Sequence, residues 1–148
     1  MRHTLRRVGT GLWVVIAAMG VTVVALVGLS RADTQHPPGQ ELLIEYAEFQ
    51  PLHETKSVLV VDVRDADSFA NGRIPGAMHV PVRDIETKLG SVKKAAKGRV
   101  IVTYCSCPTE ASSLRAAKAL STAGLTAKAL VGGFPTWVQS GGAIERDA

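Results

Sequence analysis

Val100-Ile101-Val102-Thr103-Tyr104-Cys105-Ser106-Cys107-Pro108-Thr109-Glu110-Ala111 places the chain's two cysteines between an apolar run and a helix-like run. Val100 to Tyr104 is uninterrupted and rich in β-branched residues, the pattern of a parallel strand buried on both faces. Ala111 to Ala123 reads as a helix, stopped by Gly124. The thiols therefore occupy a loop whose backbone N–H groups gather at a helix N-terminus. Such a loop lowers a thiol pKa and attracts anions.

Working outward, Ser57-Val58-Leu59-Val60-Val61-Asp62-Val63 is a second continuous strand signal and Thr126 to Val131 a third. Asp65 caps a short helix through Phe69, stopped by Asn71-Gly72, and Ile74-Pro75-Gly76-Ala77 reads as a turn. His79-Val80-Pro81 is a brief strand, after which Asp84 caps a helix toward Ala96, closed by Lys93, Lys94, Lys97 and Gly98. Glu41 to Phe49 mixes apolar and acidic residues at near-helical spacing, as in a helix packed on the outside. Strands alternating with helices imply parallel pairing, and hence a three-layer α/β/α sandwich around a small parallel sheet. Ligands bind such sheets outside the carboxyl ends of the strands, where the cysteine loop lies.

A chain of 148 residues is long enough for one domain with additions. Its net charge of +4, with histidine neutral, owes much to Arg2, Arg6 and Arg7, which crowd the N-terminus with His3, and the remainder mixes signs, so no nucleic-acid footprint is read. Aromatic content of 5% also leaves few stacking surfaces for bases. Val8 to Leu29 is uncharged behind that cationic head, and a span needs about 20 apolar residues. Residues 1–29 are thus expected to be one transmembrane anchor or a cleaved signal helix, residues 30–40 a linker containing Pro37-Pro38-Gly39, and residues 41–148 the domain. Either fate of the N-terminus carries the domain out of the cytoplasm. It would lie at a bacterial inner membrane facing the periplasm, or be exported, where thiols tend to be oxidised. A disulfide between residues so close together closes a small ring, adds little loop entropy and is strained, so a functional thiol pair explains the cysteines better than a staple.

Four blocks follow one another in order: Val61-Asp62-Val63-Arg64, Gly72-Arg73-Ile74-Pro75-Gly76-Ala77, Val102-Thr103-Tyr104-Cys105 and Gly132-Gly133-Phe134-Pro135-Thr136-Trp137. Together they resemble the rhodanese (sulfurtransferase) homology domain over about Gln40 to Ile144. The resemblance implies a rhodanese-like fold and a sulfur relay. In that relay a thiolate takes the outer sulfur of a small sulfur donor or protein persulfide, becomes a persulfide, and passes the sulfur to a thiol or cyanide acceptor. No cofactor and no metal is implied. Counted from the strand, Tyr104-Cys105 matches the nucleophile's position; counted back from Ala116-Ala117-x-x-Leu120, the loop length fits Cys107 instead. Cys105 is taken as the sulfur carrier and Cys107 as a resolving or alternative nucleophile. The backbone from Ser106 through Pro108, Thr109 and Glu110 to Ala111 would hold the anion. Where the family commonly has an arginine in the loop, Glu110 would disfavour a dianion, and Arg115 on the following helix is a substitute cation.

Other residues have plainer readings. Asp62 and Arg64 suit an ion pair after the strand, and Arg73 replaces the family's usual histidine and reads as a surface arginine. Trp137 reads as packing behind the Gly132-Gly133 turn. The histidines make no metal-ligand spacing, and Cys-x-Cys lacks a third soft ligand nearby. Competing functions are a non-catalytic rhodanese-like binding module and a Cys-x-Cys thiol/disulfide redox protein. A dual-specificity phosphatase would need an arginine six positions after its cysteine, where Cys105 and Cys107 have Ala111 and Ser113.

Overall fold

The computed structural model describes residues 40–147. The expected anchor or signal segment 1–29, and all of the linker except Gln40, lie outside the described residues. Among the described residues, no helix is long and apolar enough to cross a membrane.

The elements are β1 (Leu43–Ile44), α1 (Tyr46–Glu54), β2 (Val58–Asp62), α2 (Ala66–Asn71), β3 (Met78–His79), α3 (Leu89–Ala96), β4 (Val100–Tyr104), α4 (Ala111–Thr122), β5 (Ala127–Leu130) and α5 (Gly133–Gln139). The five strands form one parallel sheet in the order β1-β5-β4-β2-β3. Side chains alternate across it. Leu59 and Val61 of β2, with Ile101 of β4, pack among Val92, Ala116, Ala117 and Leu120 on one face. Val58 and Val60, with Val102 and Tyr104, pack among Phe49, Ile74, Leu130 and Trp137 on the other. The same alternation sends Tyr104 to the second face and Cys105 to the first, beside α4.

Two expectations are corrected. Glu41 to Phe49 is not a helix: a short turn at Gln40–Leu42 leads into β1, and α1 begins only at Tyr46. Leu43 and Ile44 pair with Ala129 and Leu130, so sheet-edge pairing wins over helical spacing. Asp84 does not cap the helix that reaches Ala96. It ends a 3-10 turn and its carbonyl accepts from Lys88 N–H and Thr87 Oγ1, so α3 starts later, at Leu89. Beyond the Gly132-Gly133 turn there is a helix, α5, and Trp137 on it packs edge-on against Phe49 and His53 while its indole N–H donates to Ala143 O. Asp65, by contrast, caps α2 by accepting from Ser68 N–H at 2.8 Å.

The ends of β2 and β4 are joined by a buried polar network. Asp62 and Tyr104 are register partners, and the Tyr104 hydroxyl donates to Asp62 Oδ2 at 2.6 Å while accepting from Ile74 N–H at 3.1 Å. Burial, reinforced by the Asp62 charge, raises the Tyr104 pKa, so the phenol remains a donor. Replacing Tyr104 with Phe leaves a buried carboxylate oxygen and a buried N–H without this partner. The orphaned Ile74 N–H costs about 1–3 kcal/mol and the donor lost from Asp62 Oδ2, which keeps its hydrogen bonds from Arg64, about 1 kcal/mol, so Y104F is expected to lower unfolding free energy by about 2–4 kcal/mol. Chemical denaturation monitored by circular dichroism measures it.

Candidate active site

Strand β4 ends at Tyr104, so Cys105 is the first residue beyond it and the strand does not run on to Cys107. Cys105 is 1% exposed, whereas Cys107 is half-buried. Both are unpaired thiols on the wall of a cleft of about 420 Å³. The Cys107 N–H donates to Cys105 Sγ at 3.3 Å. Two serines in the first turn of α4 address the two sulfurs separately: Ser113 Oγ is 3.6 Å from Cys105 Sγ, and Ser112 Oγ is 3.4 Å from Cys107 Sγ. The hydrogen bond between Cys107 Sγ and Ser112 Oγ, followed by the contact with Cys105, holds the Cys107 thiol below its ordinary pKa.

The loop is braced from behind by the Gly132-Gly133 turn. Phe134 N–H donates to Cys105 O at 2.9 Å, and a Cβ on Gly133 would stand 2.1 Å from that oxygen. Gly133 also has φ +51°, in the left-handed region, so both space and backbone require glycine here. Glu110, itself at φ +51°, closes the loop: its Oε1 accepts from Gly132 N–H at 2.7 Å, and its carbonyl accepts from Leu114 N–H and Ser113 Oγ.

These contacts redistribute the expected site. Ser106 lines the cleft with the two cysteines, while Pro108 and Thr109 form an exposed turn and Ala111 opens α4 on its exposed side, none of them lining the cleft. Glu110 is turned to Gly132 and does not line it either, so this carboxylate is a brace rather than a barrier to an anion. Arg115 is exposed and borders a separate groove with Glu86, Leu89 and Lys118. The cations on the cleft are instead Arg64 and Arg83. Arg64 grips Asp62 through Nε and Nη2, at 3.0 and 2.5 Å, donates to Gly72 O, and stacks over Phe134 at 4.3 Å. Burial opposes its charge, but the Asp62 hydrogen bonds and charge outweigh that and raise its pKa. Arg73 is not a surface arginine. It is 8% exposed, bridges to Glu145 and Asp147, and lies over the Phe69 ring, fastening the C-terminal segment. Sequence reasoning missed Ser112, Val63, Asp65, Ser68, Val82 and Arg83 as lining residues. Only Ser112 carried a signal, as a polar residue in the turn directly after the thiol loop. Among the described residues, no group of three or more His, Cys, Asp or Glu side chains comes together.

A parallel five-stranded sheet with a cysteine loop at the carboxyl end of its central strand defines an α/β thiol-site domain. Residues 45–140 match the family model described as a rhodanese-like domain, and the chain belongs to the rhodanese-like family. It is 30% identical over 125 residues to the HTH-type transcriptional regulator Rv0324 of Mycobacterium tuberculosis, covering 82% of this chain but only 52% of that protein, so it spans about half the length of that relative. Among solved structures, BH2092 of Bacillus halodurans superposes with a TM-score of 0.64 at 29% identity, over 72% of this chain and 77% of that one. RPA3614 of Rhodopseudomonas palustris, described as of unknown function and a possible tyrosine phosphatase, gives 0.59 at 28% identity over 70% and 83%. The human single-domain sulfurtransferase TSTD1 shares the fold, with a TM-score of 0.53 at 20% identity over 66% and 96%.

Two outcomes test the site geometry. Alkylation of Cys107 by iodoacetamide is expected to titrate below the ordinary thiol value of about 8.5. The S112A variant shifts that titration upward, because the hydrogen bond favouring the thiolate is gone. Replacing Gly133 with Ala is expected to cost about 1–3 kcal/mol of stability for the left-handed backbone and the clash at Cys105 O, measured by denaturant unfolding.

Proposed function

We propose that this domain is a sulfurtransferase in which Cys105 carries a persulfide between a sulfane-sulfur donor and a thiol or cyanide acceptor. The observation that carries this reading is the Cys107 N–H aimed at a buried Cys105 Sγ on the wall of the cleft. A donor fixed on sulfur favours the negative charge that Sγ bears before attack and again when sulfur departs. Burial keeps water away from the persulfide between the two steps.

In the first step the Cys105 thiolate attacks the outer sulfur of the donor. The new bond is Cys105 Sγ to sulfur, and the donor's sulfur–sulfur bond breaks with its electron pair leaving on sulfite or a thiolate. In the second step an acceptor thiolate or cyanide attacks the outer sulfur, and the electron pair returns to Cys105. No cofactor enters. Arg83 supplies a positive charge at the cleft for an anionic donor, thiosulfate or a thiol persulfide alike, while the charge of Arg64 is met by Asp62 and Asp65 also lines the cleft. A phosphatase reading, raised by the description of RPA3614, has less support. The loop from Cys105 to Glu110 contains no arginine, and the nearest one on α4, Arg115, faces another groove.

The uncharged run Val8 to Leu29 behind Arg2, Arg6 and Arg7 supports a location outside the cytoplasm, anchored or exported. The sulfur chemistry has a direct test in the full chain reduced beforehand. After exposure to thiosulfate or glutathione persulfide, the C107S variant is expected to gain the mass of one sulfur atom on Cys105, while C105S gains none. Absence of the adduct in folded C107S, or equal loading of C105S, overturns the proposal.

A further inference from the structure

We infer that Cys107 discharges the Cys105 persulfide internally, releasing hydrosulfide and leaving a Cys105–Cys107 disulfide, so that the domain also reduces sulfane sulfur to sulfide. The inference rests on the sulfur-carrier reading above and extends it.

Four observations point the same way. Both thiols line one cleft, and no residue but Ser106 separates them along the chain. The Cys107 backbone donates to Cys105 Sγ itself, at 3.3 Å, so Cys107 stands beside the inner sulfur of a persulfide rather than beyond its outer one. Ser112 faces the Cys107 sulfur at 3.4 Å and favours its thiolate, the form that attacks. Cys107 is half-buried where Cys105 is buried, so a reductant arriving from solvent meets the outer sulfur of the resulting disulfide first.

The step balances without an external oxidant. The Cys107 thiolate attacks Cys105 Sγ, the bond from Sγ to the outer sulfur breaks, and its electron pair leaves on hydrosulfide. The two cysteine sulfurs are oxidised to a disulfide while the sulfane sulfur is reduced to sulfide. Hydrosulfide is the conjugate base of a stronger acid than an alkyl thiol, and a lower-pKa leaving group departs faster. A disulfide closing so small a ring is strained and readily reduced. A dithiol reductant therefore returns the pair to its starting state, attacking Cys107 and releasing the Cys105 thiolate.

The test treats the pre-reduced full chain with a stoichiometric amount of glutathione persulfide, with no reductant added beyond the glutathione that the loading step releases, and follows released sulfide and intact mass together at early times after acid quenching. The wild-type chain is expected to release sulfide at least about tenfold faster than C107S or C107A and to lose two hydrogens in mass, a change reversed by dithiothreitol. C107S and C107A are expected to retain the added sulfur. A wild-type chain that holds the sulfur as long as the two variants overturns the inference and leaves the carrier reading standing. Folded variants that never take up sulfur, with no sulfide from the wild type, overturn both.

Discussion

The hydrogen bond from the Tyr104 hydroxyl to Asp62 is the contact on which the remaining architecture of the site depends. Both residues are fully buried at the carboxyl ends of neighbouring parallel strands. A buried carboxylate is tolerable only when its oxygens are satisfied, and here Tyr104, Arg64 and the Arg64 N–H do so together. Removing the charged partner, Arg64, from such a buried pair generally costs about 3–5 kcal/mol. The network fixes where β4 stops, and the next residue is Cys105. Because Tyr104 turns to one face of the sheet, Cys105 turns to the other, toward α4.

The same network explains why Arg64 serves the cleft without being free to move. Its guanidinium is held by Asp62 and Gly72 O and lies against Phe134, whose backbone N–H grips Cys105 O. Phe134 in turn sits in position because Gly132 and Gly133 adopt left-handed backbone, and Glu110 ties Gly132 to the end of the thiol loop. The loop is thus closed from both ends by interactions outside it. A carboxylate in the loop, which looks hostile to an anion as a charge in a list, becomes a hydrogen-bond acceptor for the turn that supports the nucleophile.

Much of this was legible in the sequence because long apolar runs specify buried parallel strands without tertiary help. β2, β4 and β5 belong to that class, while α4 and the Asp65 cap were legible from helix cap and stop residues. β1 was not, since two residues pairing at a sheet edge leave no periodicity, and the acidic neighbours of Leu43 and Ile44 imitate a helix face. α5 was hidden by two glycines and Pro135 at its start, residues that signal a turn locally and begin a helix only because Cys105 O and Gly132 O accept the N–H groups of Phe134 and Thr136. The cysteine pair and Ser106 were readable as a site. Arg83, Val82 and Ser68 were not, because topology alone brings the segments around β3 and α2 to the thiol loop. Arg115 illustrates the converse, for a residue close in sequence lies one turn too far along its helix.

In the proposed reaction Cys105, and not Cys107, bears the transferred sulfur inside this cleft. A crystal structure of the full-length C107S variant soaked with thiosulfate or a thiol persulfide addresses it most directly. One additional sulfur is expected, bonded to Cys105 Sγ within the cleft, with the backbone at position 107 and the hydrogen bond from Gly132 N–H to Glu110 unchanged. An unmodified Cys105 in crystals whose protein has taken up sulfur elsewhere would contradict it.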